Sequence, residues 1–413
     1  MKRVLIISYD FPPVNNIAAR RYGEMACYMA KYGWEPFVLT TKNSGDLNIE
    51  IPEANIIRIG GHHQKGLIVE SPGAEGLPRF LRFVYLLYKK LNLNFKSMDR
   101  FIFSLPGSVF KELDRIKKIE PDVILASYGP ATSLWLGNLL SWQIKKPWVA
   151  DFRDSSSLTN YSVLGVLDKC VDRILLNSSS GIVTVSPSLA YLLSGFYNKR
   201  AMVVFNGFKE KGALNDNSRN KPVKNGEKVI YYAGRFNLQQ LNSVRLLINW
   251  LSKCGRNDIV FNIRSLGTRE LNILISNYAK ELGVSRMINI LEPAEDKIIQ
   301  RESEEADILT VFVDYDEHSP AAAGTITGKL LKLLPLGAPV LVIGRKDSDV
   351  GKILNETRTG YLVSNAAQLD IFMERALGGS LTLRPVWDEI RKYSSQNQCG
   401  RLCFFLDKIV AKP

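Results

Sequence analysis

Short apolar runs alternate with helix-patterned stretches along this chain, and the alternation stops once and then restarts. Val4–Ser8 is apolar, Phe11-Pro12-Pro13 breaks it, Ala18–Tyr32 has helical spacing, Gly33 stands at a C-cap position, and Pro36–Thr41 is apolar again. Strands that are apolar throughout belong in a parallel sheet covered on both faces. Strand–helix–strand order is the unit from which such sheets are wound. The unit recurs as strand 122–126, helix 131–142, strand 148–151, helix 164–179, strand 181–185 and a short strand 203–205, closed by Asn206-Gly207. From Lys209 to Lys228 apolar residues are scarce and Asn, Lys, Gly and Ser dominate, which is a linker signature. Strands then follow at 229–233, 259–264, 288–291, 308–313 and 340–344, with helices at 244–253, 270–282 and 324–334. The pattern predicts two doubly wound, Rossmann-like α/β domains joined by a linker over 208–228. Their facing strand ends would enclose a central ligand cleft.

Length agrees, because 413 residues exceed one ordinary core. Hydrophobic residues at 46% and charged residues at 23% suit a globular protein. The net charge of +13 favours anionic partners: nucleoside diphosphates, anionic lipid surfaces or nucleic acid. The excess is general, and no aromatic–basic stacking platform is apparent, so nucleic acid is not expected as a partner. Five cysteines without a C-x-x-C indicate neither a disulfide framework nor a zinc site and fit a reducing cytosol. The opening apolar run is too short and too soon followed by Asp10 for a secretory leader, so a cytoplasmic location is expected. Val123–Ile144 has the length of a membrane span, but Ser127, Gly129, Pro130, Gly137, Asn138 and Gln143 interrupt it. A buried strand, a turn at Tyr128-Gly129-Pro130 and a buried helix explain it better.

Leu77–Phe103 departs from the rhythm. It mixes Phe80, Phe83, Tyr85 and Tyr88 with Arg79, Arg82, Lys89 and Lys90, and Asp99 is its only acid. Apolar bulk with a basic fringe suits a helix lying on a membrane surface, and equally an amphipathic helix packed on its own domain.

The most specific stretch runs from Gly324-Thr325-Ile326-Thr327-Gly328-Lys329 through Lys332 to Gly337-Ala338-Pro339-Val340. It resembles the donor-site motif of GT-B glycosyltransferases, particularly family 4 of the retaining enzymes. Free N–H groups at a helix N-terminus, with the helix dipole, suit a pyrophosphate. Other segments resemble the same family in order: Ser8–Pro13 with Arg20 and Gly33-Trp34-Glu35, Pro121–Ile124 with Ser127 and Pro130, Pro147–Asp154, Thr184-Val185-Ser186, Asn206-Gly207-Phe208 and Gly234-Arg235. The ending, Trp387–Val410, looks like the family's helix that crosses back to the first domain. The resemblance therefore implies the GT-B fold, with domains over 1–207 and 229–385 and a closing helix within 386–413.

It also implies a function, transfer of a sugar from a nucleotide-diphosphate sugar to a glycan or lipid-linked acceptor, hexosyltransferase-like and with retention. The donor would bind the second domain and the acceptor the first, at or near the inner face of the cytoplasmic membrane. The nucleotide sugar is then a substrate, and no cofactor or metal is expected. By position Arg235 would pair with the diphosphate and Lys329 would add a second charge, which is electrostatic catalysis aimed at the leaving group. Gly234, Gly324, Thr325, Thr327 and Gly328 would complete the donor turn. Asn15 and Asn16 replace glycines of the relatives' first loop, and Asn tolerates the left-handed conformation such a loop can need.

Two departures matter. Where relatives carry a ribose-binding Glu, this chain has Lys332, and the family's earlier Glu falls on Gly324. A lysine offers no acceptor to ribose hydroxyls. Gln239 and Gln240 stand where relatives have a Lys after the Gly-Arg pair. A non-catalytic scaffold of the same fold is therefore the alternative.

Asp151, Arg153 and Asp154 end a strand at the expected cleft, where a carboxylate could orient the acceptor or act as base. Arg20 and Arg21 could meet an acceptor phosphate, and Tyr128 and Arg153 complete the acceptor side. Asp314-Tyr315-Asp316 has the form of a metal-binding D-x-D, but the strand order of that other fold is missing. His318 is expected to be an exposed loop residue, and His62-His63 lack a carboxylate cluster for a metal site. No G-x-G-x-x-G follows Val4–Ser8 or Val229–Ala233, and no Walker loop occurs, which argues against dehydrogenases and P-loop enzymes.

Overall fold

Val4, Leu5, Ile6, Val123, Ile124 and Leu125 have no exposed surface, which requires cover on both faces of the sheet they enter. The computed structural model describes residues 1–60, 99–103, 105–154, 158, 163–210, 226–265, 269–313 and 323–411. They form two compact units, Met1–Asn206 with Ser395–Pro413, and Gly207–Ser394.

The first unit is wound from β1 (Lys2–Ile7), β2 (Trp34–Thr41), β3 (Ile56–Ile59), β4 (Val123–Ser127), β5 (Trp148–Phe152), β6 (Gly181–Thr184) and β7 (Ala201–Val203). All pair in parallel in the order β3-β2-β1-β4-β5-β6-β7. The helices Thr132–Ile144, Val163–Asn177 and Pro187–Tyr197 follow β4, β5 and β6 in turn and bury Leu136, Leu140, Leu175, Leu176, Leu189 and Leu193 in one core layer. The opposite layer holds the helix Ile17–Met29, through Tyr22, Met25 and Met29. It also holds the closing helix Ser395–Val410, through Leu402, Cys403, Phe405 and Leu406. A Cβ on Gly181 would come within 2.7 Å of the Phe405 ring, so the closing helix lies directly on β6.

The second unit contains β8 (Lys228–Gly234), β9 (Ile259–Ser265), β10 (Ile288–Leu291), β11 (Ile308–Phe312), β12 (Val340–Ile343) and β13 (Gly360–Val363). Their order is β10-β9-β8-β11-β12-β13, again parallel. Both sheets reverse their order beside the first strand, which is the doubly wound arrangement.

The sequence pattern identifies β1, β2, β4, β5, β6 and all second-unit strands except β13. It misses β3 and β13, four-residue edge strands in which Arg58 and the 43%-exposed Tyr361 interrupt the apolar run. The last first-unit strand is Ala201–Val203 rather than 203–205: the Val204 amide still donates to the Thr184 carbonyl of β6 at 2.8 Å, but the Val204 carbonyl turns away to Arg21. The apolar stretch 123–144 divides into β4 and a 13-residue helix, and no helix among the described residues is long and apolar enough to cross a membrane.

Leu77–Phe103 lies outside the described residues except for Asp99–Phe103. There Asp99 accepts hydrogen bonds from the Thr132 amide (2.8 Å) and hydroxyl (2.5 Å), and so caps the helix after β4. The Phe101 ring packs against Tyr9 at a tilt of 45°, with centroids 4.8 Å apart. This end of the segment packs inward.

Candidate functional site

In the second unit β8 ends at Gly234, whose φ of 153° only glycine adopts easily. The space a Cβ would need is filled by the Lys329 side chain, reaching from the helix Gly328–Leu333. Lys329 Nζ donates to the Tyr232 hydroxyl (2.8 Å) and to the Arg235 carbonyl (3.4 Å), and lies 4.7 Å from the Tyr232 ring centroid. The Tyr232 hydroxyl donates in turn to the Arg235 carbonyl at 3.1 Å. Tyr232 is fixed by stacking on Phe236 with centroids 4.3 Å apart, and burial pushes its phenol pKa up. Burial, and then the charge of Arg235, bring the Lys329 ammonium down to about 8. A partly dehydrated ammonium thus stands within the field of the exposed Arg235 guanidinium, an arrangement an anion would relieve.

The turn before this helix keeps Gly324 and Ile326 buried and Thr325 exposed. The expected helix 324–334 begins only at Gly328. Thr327 is extended (φ −72°, ψ 135°) and its hydroxyl accepts the Leu330 amide as N-cap. Lys332 is exposed one turn beyond Lys329. Gln240 does not take the place of a ligand-facing lysine. It is buried, its Nε2 donates to the Phe312 carbonyl at 2.8 Å, and its Oε1 closes a capping box with Asn237. Gln239 beside it is exposed.

In the first unit the expected acceptor residues separate into buried and exposed sets. Arg21 and Asp151 form an ion pair at 3.0 Å with no exposed side-chain surface on either partner. Ser127 donates to the other Asp151 oxygen at 2.9 Å. Arg21 Nη1 donates to the Val204 carbonyl (2.9 Å) and to Asn206 Oδ1 (3.0 Å). Burial alone would lower the Arg21 pKa, but the Asp151 charge more than reverses that. This corrects the expectation that Arg21 meets an acceptor phosphate and that Asp151 is a free base. Both are consumed in tying the first helix, β4, β5 and the chain at Asn206 together.

Arg153 pairs with no aspartate in its strand end. It donates to the Tyr128 carbonyl from Nη2 (2.8 Å) and Nε (3.3 Å), closing the loop after β4, while the Tyr128 ring stacks on Phe152. Asp154 is exposed. Asn15 accepts from Arg20 Nε at 2.8 Å. Neither Asn15 nor Asn16 has positive φ, so the left-handed expectation fails. Asn16 is extended because it is the N-cap of Ile17–Met29, accepting the Ala19 amide at 2.8 Å while its amide donates to Asp10 at 2.7 Å. Asn16→Ala is expected to cost about 1 kcal/mol, read as a lower urea midpoint; an unchanged midpoint would show the cap to be dispensable.

Tyr232 is the site residue that sequence reasoning missed. Its only signal is the position two residues before Gly234, on the same strand face as the glycine. Asp314-Tyr315-Asp316, His318, His62 and His63 lie outside the described residues. Among the described residues no group of three or more His, Cys, Asp or Glu side chains could hold a metal ion.

No protein-family model and no curated protein matches the chain. Solved structures do. A glycosyltransferase from Rickettsia africae superposes with a TM-score of 0.62 at 15% identity, over 100% of this chain and 99% of its own. Sucrose-phosphate synthase from Thermosynechococcus elongatus gives 0.57 at 13%, over 99% and 96%. Anabaena HepE in complex with UDP-glucose gives 0.57 at 12%, over 100% and 99%. The fold is GT-B. Within this GT-B chain, the pair of cations at the end of β8 belongs to the second unit, and the buried Arg21–Asp151 pair to the first.

Proposed function

We propose that this protein transfers a glycosyl group from a nucleoside-diphosphate sugar to a glycan or lipid-linked acceptor, with retention and without a metal ion. The observation that carries the reading is the Lys329 ammonium lodged over Gly234 beside Arg235. A leaving diphosphate develops negative charge as the glycosidic bond to it breaks. The Lys329 ammonium, already held in a partly dehydrated corner, and the exposed Arg235 guanidinium near it would stabilise that charge. The amides of Gly328 and Lys329, at the start of the helix Gly328–Leu333, have no intrahelical acceptor. The acceptor is assigned to the first unit, with Arg20, Asp154 and the Tyr128–Arg153 loop as its candidate contacts and Arg21–Asp151 as their support.

HepE is described with UDP-glucose, so UDP and UDP-glucose are the first ligands to try. Calorimetric titration should show UDP binding that weakens about tenfold or more in Arg235→Ala, since the lost hydrogen bond is charge-assisted. Full affinity in that variant would remove Arg235 from the site.

The second reading, a non-catalytic GT-B protein, is favoured by Gln240 and Lys332. Gln240 is committed to backbone groups and Lys332 brings no acceptor to a ribose. It expects no turnover of any nucleotide sugar, with donor affinity raised in Lys332→Glu. Radiolabelled sugar transfer by the parent protein would dismiss it.

A further inference from the structure

The helices Thr132–Ile144, Val163–Asn177 and Pro187–Tyr197 lie on one face of the first sheet, and their outward sides are unusually apolar. Trp142 is 74% exposed, Ile174 75% and Tyr191 82%, with Val166 and Leu167 more than half or half exposed. In the middle helix, Val166, Cys170, Arg173, Ile174 and Asn177 are all exposed and recur at three- and four-residue spacing, so they share one face.

Charge on these three helices has one sign at the surface, while the acids of the neighbouring segment, Asp114 and Glu120, lie outside them. The first and third helices contain no charged residue. The middle helix has two acids, Asp168 and Asp172, and both are buried, Asp172 accepting from the Tyr197 hydroxyl at 3.1 Å. Its basic side chains, Lys169 and Arg173, remain at the surface beside the Phe196 ring. Lys145 and Lys146 follow the first helix, and Lys199 and Arg200 the third, at the same edge where β5 and β7 begin.

We propose that this three-helix face docks on an anionic lipid bilayer. Exposed Trp and Tyr suit the headgroup region, aliphatic residues between them suit the acyl boundary, and a basic rim meets anionic headgroups. Charge selects the occupant. A second copy of this chain would bring like charges together at the same patch, whereas an anionic surface is complementary. No helix among the described residues spans a membrane, so the contact is with the surface. The docking stands apart from the donor reading, because it needs no nucleotide and uses none of the proposed site residues.

The test is sedimentation of the full chain with vesicles of phosphatidylcholine alone or mixed with phosphatidylglycerol. Binding is expected only to the mixed vesicles, and it should weaken at high salt. The double variant Trp142→Ser/Ile174→Ser and the triple variant Lys145→Gln/Lys169→Gln/Arg173→Gln should each bind about tenfold or more weakly. All five positions are at the surface, and unchanged unfolding midpoints would show that the variants fold. No binding to mixed vesicles, or equal binding by parent and both variants, would overturn the proposal. So would a concentration-dependent dimer that the double variant abolishes, which would give the face to self-association. Donor binding by calorimetry, unaffected in both variants, keeps failure here distinct from failure of the donor site.

Discussion

Lys329→Met is expected to abolish nucleotide binding and, at the same time, to make the ligand-free protein harder to unfold. The ammonium sits where burial and Arg235 oppose its charge, which brings its pKa to about 8, against about 10.4 in an unfolded chain. Below pH 8 it is charged in both states, and the folded state bears the cost. Between about pH 8 and 10.4 the unfolded chain holds a proton that the folded protein has released, so stability rises with pH. At pH 7 the neutral methionine should therefore be more stable by on the order of 1–2 kcal/mol, after discounts for partial exposure and for the lost bond to Tyr232. The difference should shrink as the pH is raised toward 10. Binding runs the other way. A diphosphate prefers the protonated lysine, so UDP affinity in the parent should fall as pH rises above about 8, by at most tenfold per unit. Chemical denaturation of both proteins at pH 7 and 10, with UDP titrations of the parent, measures all of this. A methionine variant that is less stable at pH 7, or parent affinity that is flat to pH 10, would refute the assignment.

Asp151→Ala should be the most destabilising single change of a polar residue in the first unit. It leaves Arg21 charged, fully buried and without its counter-ion, a loss of about 3–5 kcal/mol. The double change Arg21→Met/Asp151→Leu should recover much of that, because it removes both the charge and the desolvation that the pair has to offset. Urea midpoints of the single and double variants test the pair. Asp151→Asn, assayed where it remains folded, tests the chemistry. An anchor predicts transfer within about tenfold of the parent, whereas loss of a general base costs about a hundredfold to ten-thousandfold. The larger loss would return Asp151 to the reaction.

The sequence carried the two-domain winding because parallel strands buried on both faces are apolar at every position, and Val4–Ile7 and Val340–Ile343 show this without knowledge of their neighbours. It also marked the turn proposed for the donor, since Thr327-Gly328-Lys329 combines a cap residue, an open helix start and a cation in consecutive positions. Edge strands such as Ile56–Ile59 escaped because only one side of an edge is paired and its pattern is broken by surface residues.

What the sequence could not decide was which polar side chains turn inward. Arg20 and Arg21 are adjacent and alike on paper, yet Arg21 is sealed with Asp151, 130 residues away, while Arg20 remains beside Asn15 at the surface. In the sequence Gln240 reads only as a missing lysine, whereas in the fold its amide donates to the Phe312 carbonyl. In the sequence Asp99 reads as the one acid in a basic segment, whereas in the fold it accepts the Thr132 amide at the start of a helix. Apolar burial follows a local period that one strand or helix displays by itself. Polar burial is permitted only by a partner, and the partners here lie 33 to 130 residues away, so the tertiary structure alone determines them.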